Sequence, residues 1–114
     1  MNNKYLLLLL CFVSSFVFSD TKPEYVDMNG TLKIWGRSEG EIKLPGFSVF
    51  LKGEAAKKLY AQMDAPALRN ECFGDGTVSK YIGNFECSLD PKGAYSCSVG
   101  VGLKDQKIFR GESC

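Results

Sequence analysis

The clearest regularity along the chain is an alternation of apolar and polar positions in its C-terminal third. Over residues 85–89 and 94–103, Phe85, Cys87, Leu89, Tyr95, Cys97, Val99, Val101 and Leu103 share one parity, while Glu86, Ser88, Ser96, Ser98, Gly100 and Gly102 share the other. Period-two patterning of this kind predicts two strands with one buried face. Between them stands Asp90-Pro91-Lys92-Gly93, which suits a type I turn closed by a left-handed glycine. If Asp90 pairs with Ala94, Cys87 falls directly opposite Cys97 in a non-hydrogen-bonded pair, the closer antiparallel kind and the one a disulfide can bridge.

Further strands are predicted at 31–36, where Leu32 and Ile34 alternate with Lys33 and Trp35, and at 41–44 and 47–51, interrupted by Pro45-Gly46. Two more are expected at 77–82 and 108–113, with polar turns at 37–41 and 104–107 and a loose leader at 20–27. Helical spacing marks residues 54–63: Ala56, Leu59, Tyr60 and Met63 form one stripe, and Lys57, Lys58 and Gln62 the other side. Gly53 can cap this helix, and Pro66 prevents its continuation. The expected fold is a small single α+β domain, one helix packed on an antiparallel sheet with a C-terminal β-meander.

The N-terminal residues 1–19 change this picture only by removal. Lys4, an apolar run at 5–13 and a small, mixed stretch at 14–19 read as a secretory signal cleaved near Ser19/Asp20, leaving a domain at 20–114. The apolar run is shorter than the roughly 20 residues that span a bilayer, and Cys11 is expected to leave with the signal. The chain has 14 basic and 13 acidic residues; losing Lys4 brings the two into balance. A neutral chain without a basic stripe argues against nucleic acid and against membrane-surface attachment after cleavage.

Cys72, Cys87, Cys97 and Cys114 remain, an even set in a short exported chain, which predicts two disulfides. With Cys87 joined to Cys97, Cys72 pairs with Cys114 by elimination. A rival register, with a two-residue turn at Asp105-Gln106, would set Leu103 against Ile108 and Cys97 against Cys114. Pro91 and Gly93 specify the first turn, whereas nothing in 104–107 specifies the second.

Candidate chemistry is sparse. The chain has no histidine, which excludes Ser-His and Cys-His nucleophiles and mixed zinc sites. Ser79 and Lys80 are adjacent, so on a strand they point to opposite faces. Glu39 and Glu41 could pair as carboxylates, but so short a chain offers little wall for a cleft. The run Phe73-Gly74-Asp75-Gly76 lacks the residues of a phosphate or calcium loop and reads as a tight turn. Trp35 and Tyr81 read as core aromatics. No cofactor, metal site or enzymatic activity is expected. The arrangement of Gly53-Glu54-Ala55-Ala56, Leu59-Tyr60, Cys72, Cys87 and Tyr95-Ser96-Cys97 resembles small exported proteins of Gram-negative bacteria and contains no catalytic signature.

The expectation by elimination is a periplasmic or secreted protein-binding module, monomeric, such as an inhibitor or immunity protein against a cell-wall hydrolase or toxin. The alternative is an accessory or structural component of the envelope or of a surface assembly. Residues 37–47 and 73–80 are the expected contact loops, with Glu39, Glu41, Asp75 and Lys80 as the partner-binding candidates.

Overall fold

A computed structural model of the chain describes residues 23–39 and 42–111. Residues 1–19, Glu41 and Cys114 lie outside them, and with Cys114 the expected second bridge. The elements run β1 (Asn29–Glu39), β2 (Ile42–Lys52), α1 (Gly53–Gln62), β3 (Leu68–Arg69), β4 (Val78–Ile82), β5 (Phe85–Leu89), β6 (Tyr95–Gly102) and β7 (Ile108–Phe109). All strand pairs are antiparallel, in the order β1-β2-β6-β5-β4-β3. β6 is the hub: β2 lies along one edge, while the other is shared by β5 and, further on, by β7. The molecule is thus the small α+β domain that the patterning predicts, one helix on an antiparallel sheet.

Local chemistry explains the turns. Asp90 N–H donates to the Ala94 carbonyl at 3.0 Å, and the Asp90 carbonyl accepts from Gly93 N–H at 3.1 Å. Its carboxylate also accepts from the amides of Lys92 and Ala94. Gly93 takes φ 85°, the left-handed residue that a three-residue hairpin loop needs. The register that follows sets Cys87 opposite Cys97, and the two are joined as a disulfide. Between β4 and β5, Gly83 sits at φ 58° in the first central position of a two-residue turn, where a primed turn requires it.

Several expectations need correction. Pro45-Gly46 does not interrupt β2, which runs unbroken beside β1. The Pro45 carbonyl accepts from Leu103 N–H, so its missing N–H would also have faced β6, at the point where that strand has ended. The polar turn expected at 37–41 is largely strand, since β1 continues to Glu39, and most of the contact loop expected at 37–47 is therefore hairpin. Gly53 is the first helical residue rather than the cap, which is Lys52; its φ of 67° lets the chain fold back straight from strand into helix. β3 was not foreseen. β7 is shorter than expected and sets Ile108 against Val101, not Leu103, which removes the rival register.

α1 lies on β6, β2 and β5. Ala56, Met63, Cys87 and Cys97 are buried between helix and sheet, with Leu51, Tyr60, Phe85 and Tyr95 packed around them. The stripe read from the helix is therefore a core stripe, although Leu59 lies at its exposed margin. Ten residues of helix are about 15 Å long, whereas the eleven residues of β1 span about 36 Å. The helix is thus much shorter than the long strands beneath it, and Leu32, Ile34 and Ile108 on its side of the sheet stay exposed.

Candidate functional site

The sheet face turned away from α1 carries the polar parity, and the register arranges it in rows. One row runs Ser79, Ser88, Ser96, Lys52. The next runs Tyr81, Glu86, Ser98, Phe50, Thr31. A third sets Gly100 beside Ser48 and Lys33. At its far end this face is closed by aromatics: Trp35 donates to Ser48 Oγ at 3.0 Å and meets Phe109 edge-on at 5.8 Å between centroids. Glycine at position 46 permits this, because a Cβ there would lie 2.3 Å from the Trp35 ring.

The single buried face expected from the alternation is therefore incomplete as a description. Ser48, Ser79 and Ser88 are buried on the polar side, together with Asn70 and Thr77 from the segment that crosses it. Ser48 accepts from Trp35 and Thr77 donates to Asp75, while Ser79, Ser88 and Asn70 join Glu86 in a network of their own. Asn70 Nδ2 donates to Ser79 Oγ and to Glu86 Oε1, both at 2.9 Å. Ser88 Oγ gives its proton to Glu86 Oε1 at 3.2 Å, so in the 2.6 Å contact between Ser79 and Ser88 Ser79 is the donor. The result is a closed ring of four side chains, anchored further by Cys72 N–H donating to Asn70 Oδ1 at 3.0 Å.

Beside this ring lies a concave groove of about 1120 Å³. Ser88, Ser96 and Ser98 form its floor, Phe50, Phe73 and Tyr81 its walls, and Lys33, Lys52 and Arg110 face it, with Glu86 as the one carboxylate among the described residues. Arg110 is held with its guanidinium 5.2 Å above the Tyr81 ring. The chain crosses the face at Gly111, where a Cβ would come within 2.5 Å of Ser98. Past Phe73 the groove continues into a smaller hollow of about 340 Å³ that contains Asp75 and Asp90. The larger hollow is thus richer in cationic side chains and the smaller in carboxylates, with Lys52 lining both.

No family model, curated protein or solved structure matches the chain.

The residues expected to bind a partner are not brought together. Lys80 is on the helix side, where its ammonium donates to the carbonyls of Tyr60 at 3.1 Å and Met63 at 3.4 Å and sits 4.5 Å above the Tyr60 ring. It caps α1, whose last turn has no basic residue of its own, and so meets the negative end of the helix dipole. Ser79 and Lys80 point to opposite faces, as the strand period requires. Asp75 accepts from the amide and hydroxyl of Thr77 at 3.0 and 2.6 Å, and these bonds hold its carboxyl below the ordinary aspartate range. Glycines at φ 63° and 94° flank it, a tight turn at the smaller hollow. Glu39 lies in β1 opposite Ile42, far along the hairpin from the groove.

Asn70, Glu86, Lys52 and Arg110 were not singled out from sequence. Parity alone placed Glu86 and the serines on one face; the burial of Asn70 beneath its own loop had no sequence signal. Among the described residues no group of three or more Cys, Asp and Glu is placed to hold a metal ion, and no helix is long and apolar enough to cross a membrane.

Proposed function

We propose that this protein is an exported, non-catalytic binding module that holds a segment of another protein in the groove on its polar face. The observation that carries the reading is the mixed charge of the groove: Lys33, Lys52 and Arg110 with Glu86 around the larger hollow, and Asp75 and Asp90 with the shared Lys52 in the smaller. A polypeptide can present acidic and basic side chains in sequence, whereas a uniform polyanion would be repelled at one end. Aromatic walls supply contact area with little side-chain ordering. A disulfide-pinned floor is preorganised, which lowers the entropic cost of binding. The buried Cys87–Cys97 bridge supports an oxidising compartment, in keeping with a periplasmic or secreted protein.

Two observations favour binding over catalysis. The Ser79 and Ser88 hydroxyls are occupied within the ring, and Glu86 accepts from two neighbours, which holds it as a structural acceptor. A wall-degrading enzyme or a toxin is the partner class to test, because an exported neutral module of this size suits an inhibitor or immunity protein. The test is photo-crosslinking from a probe at Phe73 in periplasmic extract, with inhibition of wall hydrolysis measured in parallel. A partner lost on Lys52→Glu or Arg110→Glu but retained on Lys57→Glu, on the helix side, supports the groove. Equal crosslinking by all variants, or none by the parent protein, overturns it.

A further inference from the structure

Among the described residues, nothing covers the far part of the sheet face that carries α1. Beyond the helix, the register lines up Leu32, Val49 and Val99 in one row and Ile34, Phe47, Val101 and Ile108 in the next. Neither row contains a charged residue. Leu32 is 60% exposed, Ile34 79%, Leu103 59% and Ile108 51%, although the same parity buries Cys87 and Cys97 completely under the helix. A sheet with one apolar face needs a second layer to cover it, and the helix is too short to supply more than part of one.

We propose that the chain forms a two-fold dimer in which the uncovered apolar parts of two sheets stack face to face. Each copy then provides the layer that the other lacks, in the manner of a β-sandwich with sheets about 10 Å apart. A second copy fits better than a partner of different chemistry for two reasons. An uncharged patch asks for no complementary charge, and an isologous interface brings an equal apolar area to meet it. The area is also sufficient. The four exposed residues present roughly 450 Å² of surface, near the top of what monomers leave bare. With the half-buried valines and Phe47 included, two faces together bury on the order of 1000 Å² or more, where specific interfaces begin. The groove lies on the opposite face, so the dimer leaves two grooves open and pointing outward. This assembly departs from the monomer expected from sequence and does not rest on the reading of the groove.

The experiment is sedimentation velocity and light scattering on the exported, disulfide-intact protein across the micromolar range. A dimer mass is expected, with a dissociation constant that rises at least about tenfold on Ile34→Lys, because the new ammonium would be buried without a partner. Leu32→Lys should act in the same way. Both positions are exposed in the single chain, so each variant should retain its circular dichroism and the Cys87–Cys97 bridge on peptide mapping. Lys33→Glu, on the other face of the same strand, should leave the dimer unchanged. A monomer at every concentration overturns the proposal. So does a dimer indifferent to both Ile34→Lys and Leu32→Lys, which would be paired through the free edge of β1 instead.

Discussion

Replacing Asn70 should show how much the buried ring holds together. In Asn70→Ala, Ser79 and Glu86 lose the donor that reaches them at 2.9 Å, and Cys72 N–H loses its acceptor. Each buried group left without a partner costs about 1–3 kcal/mol. Water entering from the groove would recover part of that, so a total of about 2–4 kcal/mol is expected. Asn70→Asp sharpens the test, because it keeps the shape and replaces the donor by an oxygen that faces Glu86 Oε1. Two carboxylates in contact disfavour ionisation of both, so this variant should be less stable than the alanine one at neutral pH. The introduced carboxyl has a folded pKa raised above its unfolded value. Its destabilisation is therefore complete above the folded pKa and fades as the pH falls toward the unfolded one, where a protonated carboxyl can donate again. Urea unfolding at several pH values gives the differences from the midpoints. An alanine variant within about 0.5 kcal/mol of the parent, together with an aspartate variant that does not recover in acid, would refute the ring as a stabilising unit.

Removing the central cross-link by Cys87→Ala with Cys97→Ala should cost about 3 kcal/mol, because the bridge closes a short loop, of sequence separation 10, in the unfolded chain. Thermal unfolding should fall by roughly 12–24 °C, and a fall of only a few degrees would mean that the unfolded hairpin is already closed. Lys80→Met, which keeps the stem but loses the bonds to Tyr60 and Met63, should cost about 1–2 kcal/mol; the check is faster amide exchange in the last turn of α1 than in β5. Asp75 has its pKa depressed by the Thr77 hydroxyl and amide. Its contribution is therefore complete above the ordinary aspartate pKa and is lost as the pH falls through the lower folded value, which should appear as loss of Thr77 amide protection in acid and be absent in Asp75→Ala.

Much of the fold was legible because local rules carried it. Alternation over 85–103 and the Asp90 to Gly93 turn were enough to predict the hairpin, its register and the Cys87–Cys97 bridge, since turn type and side-chain period are short-range properties. The helix followed from Ala56, Tyr60 and Met63 at helical spacing. Pro45-Gly46 misled because a proline's tolerance in a strand depends on whether its missing N–H faces a neighbour, and that depends on where β6 ends.

The groove was not legible, for the same kind of reason. Lys52, Glu86, Asn70 and Arg110 come from four separate segments, and only the order β2-β6-β5-β4 and the crossing at Gly111 bring them to one face. Lys80 looked available from its sequence neighbours, yet its ammonium reaches the carbonyls of Tyr60 and Met63 and serves as a cap on α1. By itself, then, the sequence determined the helix, the β5–β6 hairpin with its register and one disulfide, all of them set by periodicity and turn chemistry within a few residues. Tertiary structure alone decided which polar groups are buried together and which apolar rows stay bare, because burial depends on the length of a helix relative to the sheet it must cover.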